Sequence, residues 1–137
     1  MLLAVSAERG VVCWKTYKKS VNVDRCLDWI EKLREENPER KLCLFWDNLR
    51  VHHSKRVLDR LEELGVKVIF NLAYSPAYNG VEGCFSKVKH SFKKQRLQKL
   101  ARGLRPNLQT LIQRAVKSLS LKDIKNFITH SNKELAK

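Results

Sequence analysis

From residue 83 to residue 122 the sequence contains no acidic residue, and beyond Glu82 it contains only two, Asp123 and Glu134. That absence rules out an evenly charged surface for the second part of the chain. Residues 83–137 carry 14 Lys/Arg and 2 Asp/Glu, a balance of +12, whereas residues 1–82 carry 14 against 12, a balance of +2. A basic segment following a near-neutral one suits a polyanionic partner, because Lys and Arg displace counterions from phosphates. Nucleic acid is the first expectation, an anionic membrane surface the weaker one.

Other absences narrow the class further. No apolar run approaches the ~20 residues of a membrane-spanning helix. No basic segment precedes Met1-Leu2-Leu3-Ala4-Val5, so this stretch does not read as a signal peptide. Internal repeats and low-complexity segments are lacking. No two of Cys13, Cys26, Cys43 and Cys84 have CxxC spacing, and each stands among apolar neighbours. They read as reduced core cysteines of an intracellular protein, with neither a disulfide framework nor a zinc site.

What is present alternates between strand and helix patterns. Residues 2–7 and 11–17 read as strands around a Glu8-Arg9-Gly10 turn, an antiparallel hairpin. Asn22 opens a helix over about 23–36, with Val23, Cys26, Leu27, Ile30 and Leu33 on one face, and Asn37-Pro38 ends it. Residues 41–47 are continuously apolar, the pattern of a strand covered on both faces. Ser54 caps a helix that stops at Gly65, and Val66–Phe70 is a further strand. Strand, helix and strand in that order predict a βαβ unit with parallel strands. Asn79 opens a long helix through Arg96, helix 107–119 follows, and Ser120-Leu121-Lys122-Asp123 starts the last one.

Two carboxylates stand out. Asp47 lies where a buried strand runs out, the end at which open α/β sheets bind ligands. Asp-Asn is also an ordinary turn opener. Glu82 lies in the first turn of the helix opened by Asn79, where Asn79-x-x-Glu82 fits a capping box that requires no ligand. Mg²⁺ takes hard oxygen donors, and a two-metal phosphoryl-transfer site draws its acids from separate elements. Asp47 and Glu82 fit that pattern too.

Asp47-Asn48-x-x-x-His52-x-Ser54, then Tyr74-Ser75-Pro76-x-x-Asn79-x-x-Glu82 and Lys89, resembles the catalytic domain of mariner-like DDE transposases. The 34 residues between Asp47 and Glu82 also match that family's spacing, and the likeness covers roughly residues 2–95. It implies an RNase H-like mixed sheet flanked by helices, with residues 1–95 as a partial catalytic domain and 96–137 as a basic helical extension. Asp47 and Glu82 would be the second and third acids of the triad. They would hold Mg²⁺ or Mn²⁺, two ions in the complete site, for nicking DNA and transferring strands. Asn48, His52, Tyr74, Ser75, Pro76 and Asn79 would stand next to the site.

The chain departs from the family at Leu72-Ala73 and at Gly80, where prolines are usual, and Gly80 is expected to loosen the start of its helix. The first acid, on a central strand in the family, has no counterpart here. Glu8 falls in a turn, and Asp24 and Asp28 in a helix. The expected sheet therefore lacks its middle strand, and the expected function is that of a transposase fragment, inactive alone. The alternative is a non-catalytic, transposase-derived nucleic-acid-binding protein. Lys87, Lys89, Lys93, Lys94, Arg96, Lys99, Arg102 and Arg105 are the candidate DNA-backbone contacts. The implied partner is DNA, with a homodimer in a complete enzyme and no small-molecule cofactor. The implied location is the nucleus in a eukaryote, otherwise the cytoplasm or nucleoid.

Overall fold

The computed structural model describes residues 1–137. The chain forms β1 (Leu2–Ser6), β2 (Gly10–Lys15), α1 (Val23–Glu36), β3 (Leu42–Trp46), α2 (Lys55–Glu63), β4 (Val66–Phe70), α3 (Val81–Ala101), α4 (Leu108–Lys117) and α5 (Leu121–Leu135). Short 3₁₀ turns at Arg50–His53 and Pro76–Tyr78 precede α2 and α3. No helix is long and apolar enough to cross a membrane.

Local chemistry accounts for most of these boundaries. Gly10 takes φ +78° where the β1–β2 hairpin turns. Asn22 accepts the Arg25 N–H and caps α1. At the other end, Asn37 is buried, donates to Leu33 O at 2.8 Å and receives Arg9 at 2.6 Å, so it locks the helix end to the hairpin turn. Gly65, at φ +68°, stops α2. Ser120 and Asp123 form a full capping box at the start of α5. Ser54 makes no side-chain capping bond; its N–H closes the preceding 3₁₀ turn on Val51 O.

The hairpin is the middle layer. On one face Cys13 joins Cys26, Trp29, Ile30 and Leu33 of α1, Val57 and Leu61 of α2, and Trp46 and Val66 of the β3–β4 pair. On the other face Leu3 joins Cys84 and Val88 of α3, Ala115 and Val116 of α4, Leu119 of the α4–α5 link and Ile124 of α5. Neighbouring strand residues point to opposite faces, so Cys13 and Trp14 serve different cores.

The strands form two sheets of two strands each. β1 and β2 are antiparallel, with an irregularity between Ala4 and Val5. β3 and β4 are parallel, Leu42 opposite Val66 and Trp46 opposite Phe70, as a βαβ unit requires. β1 and β3 each keep one unpaired edge. A slot of about 350 Å³ lies along both, lined by Met1–Val5 from one side and Cys43–Asp47 from the other. Consecutive residues of a strand line a cavity together when the cavity follows the strand's backbone edge, since alternate side chains point to opposite faces.

Three expectations need correction. β3 is not covered on both faces: Leu42, Leu44 and Trp46 face the α1–α2 core, while Cys43 and Phe45 are exposed, as is Ile69 of β4. Cys43 is accordingly a free, exposed thiol rather than a core cysteine; Cys13, Cys26 and Cys84 are buried and free. Gly80 does not loosen α3. It is helical (φ −58°, ψ −19°), and a Cβ there would stand 2.8 Å from the Ile128 Cα, so glycine permits close approach of α5.

Candidate active site

Asp47 follows the last residue of β3, and the 3₁₀ turn after it folds back so that His52 reaches its carboxylate. His52 Nδ1 lies 2.8 Å from Asp47 Oδ1 and 3.2 Å from the Asp47 carbonyl oxygen. Both neighbours are acceptors, so the proton belongs on Nδ1. The Leu49 N–H donates to the same Oδ1 at 3.3 Å. Oδ2 makes no bond within the chain. The His52 ring is buried and lies flat on Trp46, with centroids 4.0 Å apart and planes 3° apart. A rigid strand end and a stacked imidazole thus fix one carboxylate oxygen and leave the other open.

The adjoining turn is tied to this one through amides. Asn48 donates from Nδ2 to the Asn71 carbonyl, and its Oδ1 meets His53 Nε2 at 3.0 Å. His53 in turn stacks on Phe70 at 4.1 Å. Asn71 is buried just past β4; it donates to Ser75 O at 2.7 Å and accepts from Leu72 N at 2.8 Å. Ser75 Oγ donates to Ala73 O at 3.1 Å. Pro76 then starts the 3₁₀ turn. The sequence reading overlooked Asn71 and gave His53 no role. The signal was there: an Asn follows each of the two parallel strands within two residues.

Glu82 is held differently. Asn79 is buried and its Oδ1 accepts the Val81 N–H at 3.3 Å. The capping box that would have bound Glu82 does not form, because the Asn79 N–H it needs is already donated to Pro76 O at 3.0 Å. Glu82 is exposed in the first turn of α3, and its carboxylate has no partner in the chain. Its position is set by the helix backbone alone.

Asp47, His52, Asn79 and Val81 line the slot between β1 and β3; Glu82 follows Val81 in the chain and is not itself a lining residue. No three His, Cys, Asp or Glu residues are grouped closely enough to hold a metal ion. Asp47 Oδ2 and the Glu82 carboxylate are nevertheless hard oxygen donors without competing partners, the donor type Mg²⁺ and Mn²⁺ take.

Among the basic candidates, Lys87 is half-buried and paired with Asp123 of α5. That pair, with the Ser120 hydroxyl and N–H, pulls the Asp123 pKa down to about 2. Lys89, Lys93, Lys94, Arg96, Lys99, Arg102 and Arg105 make no ion pair. Lys89 lies seven residues after Glu82, two turns along the same face of α3.

A family model described as DDE superfamily endonuclease matches residues 1–104. The chain belongs to that family. The matched span takes in Asp47, Glu82, the amide network and all of α3, and ends before α4 begins. No curated protein matches the sequence. DDE superfamily endonucleases generally use divalent metal ions, and the family implies a DNA substrate. Any side chain at position 80 would meet the Ile128 backbone, which gives the glycine there a packing reason.

Proposed function

We propose that this chain is the part of a mariner-like DDE transposase that supplies the second and third acids of an RNase H-like catalytic domain. Asp47 and Glu82 are those acids, and residues 96–137 are a basic helical extension. The observation that carries the reading is the pair of unpartnered carboxylate donors, Asp47 Oδ2 at the slot and Glu82 in the first turn of α3, next in the chain to the slot-lining Val81. Bound Mg²⁺ or Mn²⁺ would supply activation of the attacking oxygen and charge stabilisation at the leaving one. The protein's own residues do the rest. Asp47 presents one oxygen because His52 and the Leu49 N–H occupy the other. Asn48 and Asn71 keep the two turns in register. Lys89 and the unpaired cations after it draw the DNA backbone along α3.

The first acid fits no residue of 1–137, and we place it on an extended segment inserted between β1 and β3. Two features support that placement. Both strands offer unpaired edges to the slot. The indole N–H groups of Trp29 and Trp46, both residues lining the slot, are buried without an acceptor. Buried donors are almost always satisfied, and a strand brings carbonyl oxygens. The test is a chain extended at its amino end by a strand ending in Asp, assayed for Mn²⁺-dependent nicking of DNA. Asp47→Asn and Glu82→Gln should each lower the rate more than about 100-fold, since losing a ligand exceeds the 10–100-fold cost of losing its support. Nicking that survives both substitutions would sink the assignment.

A further inference from the structure

Tyr74 is the one aromatic residue that the fold holds out fully into solvent, and it does so against the backbone's preference. Its φ is +55°, in the left-handed region that glycine enters freely and a tyrosine enters at a cost. The ring is fully exposed and the hydroxyl has no partner. Nothing inside the chain compensates for that conformation.

The loop that imposes it is well tied. A single buried side chain, Asn71, holds both ends of the segment: its Oδ1 takes Leu72 N and its Nδ2 reaches Ser75 O. Asn48 ties Asn71 in turn to the residue next to Asp47. The backbone that presents Tyr74 is therefore held in place, while the ring itself projects into solvent without a contact. Strain that persists beside a reactive group, with no packing in return, points outward to a ligand.

The chemistry of the surroundings narrows the ligand. Between Lys67 and Lys87 there is no Lys or Arg, so the loop's own residues bring no cation to a phosphate. Leu72, Ala73 and Pro76 beside Tyr74 are exposed and uncharged. An aromatic face without a neighbouring cation matches the face of a base, which stacking covers inside a duplex and which an unpaired base exposes.

We propose that Tyr74 stacks on an unpaired base of the DNA substrate and so holds a strand end or a flipped nucleotide near Asp47. This rests on the DNA-processing function proposed above. Its test needs no metal and no cleavage, so its failure would leave the roles of Asp47 and Glu82 standing.

The 137-residue chain is titrated, in EDTA, onto a duplex with a short single-stranded overhang carrying 2-aminopurine and onto a blunt duplex. Stacking should quench the 2-aminopurine. Tyr74→Ala should lose the quenching and about tenfold in affinity for the overhang. Its blunt-duplex affinity and salt dependence should stay as in the wild type. Tyr74→Phe should keep both properties. Tyr74→Gly should lose quenching as Ala does, yet melt no lower than the wild type, because glycine relieves the positive φ. No quenching by the wild type, or equal quenching by Tyr74→Ala, would overturn the proposal. Equal losses on overhang and blunt DNA would do the same and assign Tyr74 to a general contact or to an apolar protein partner.

Discussion

Asp47 and Glu82 belong to one proposed site and are held by opposite means. Asp47 is gripped by side chains: His52 on one oxygen, Trp46 behind His52, and a backbone N–H beside it. Glu82 is gripped by nothing but its helix, and that helix is placed by contact with α5 at Gly80 and by the Lys87–Asp123 pair. Asp47 is therefore local in its support, built from residues 46–52. Glu82 is remote in its support, because its position depends on residues more than forty positions away in sequence. Local support should fail through local substitutions that spare the fold. Remote support should fail through substitutions that loosen α3 against α5.

The largest contrast is expected at His52. In the extended, active form, His52→Ala should lower metal-dependent nicking about 10–100-fold, the usual cost of removing a side chain that orients a ligand. His52→Asn, which can still donate to Asp47, should recover part of it. Metal titrations of the two variants check this, and an unchanged metal dependence in His52→Ala would erase the difference between the two acids. No single side chain near Glu82 should have a comparable effect.

Next is Gly80→Ala. The added Cβ meets Ile128 backbone atoms at 2.8 and 3.0 Å, so α3 or α5 must shift. Overpacking of this kind costs about 1–3 kcal/mol, and alanine returns nothing at this position, because Gly80 is the N-cap of α3, where glycine is the better residue. Denaturant unfolding should show a net loss. Nicking by the active form should fall too, because Glu82 moves with its helix. Equal stability with full activity would show that α5 does not position Glu82.

The smallest effect is the pH response of the α3–α5 tie. The folded pKa of Asp123 is about 2, below its ordinary value of 3.8. A depressed carboxyl pKa contributes stability that is present above the unfolded value and lost as pH falls through the folded one. The contribution should therefore be complete above about pH 4 and vanish toward pH 2. Asp123→Asn should flatten that part of the stability-versus-pH curve and lower the melting temperature at neutral pH, since it also removes the box at the start of α5. Thermal melts of both forms between these pH values check it; parallel curves would rule out the pair as a tie.

The signals that singled out the candidate site residues in the sequence are short-range. Asp47 at a strand end, His52 five residues on and Ser75-Pro76 before a helix are all patterns within one or two turns of chain. Asn71 escaped notice because its importance lies in bonds to Ser75 and Asn48, the latter 23 positions away. Lys87 looked like any other cation of the basic tract until Asp123, 36 positions on, met it. The capping-box reading of Glu82 failed over one N–H already committed to a 3₁₀ turn.

The sequence by itself determined the parts governed by the nearest neighbours. These are the Asn22 cap and the stripe of α1, the stops at Gly10 and Gly65, the parallel pairing through α2, and the capping box of Ser120. It also determined the charge imbalance beyond Glu82. Only the tertiary structure decided which faces are covered and which polar groups stay free. It left Cys43 and Phe45 exposed, orphaned the indoles of Trp29 and Trp46 along the slot, and released Glu82 from Asn79. It also turned out Tyr74 with no contact of its own. Propensity and capping act over a few residues, whereas burial and hydrogen-bond satisfaction depend on which distant segments arrive at the same place.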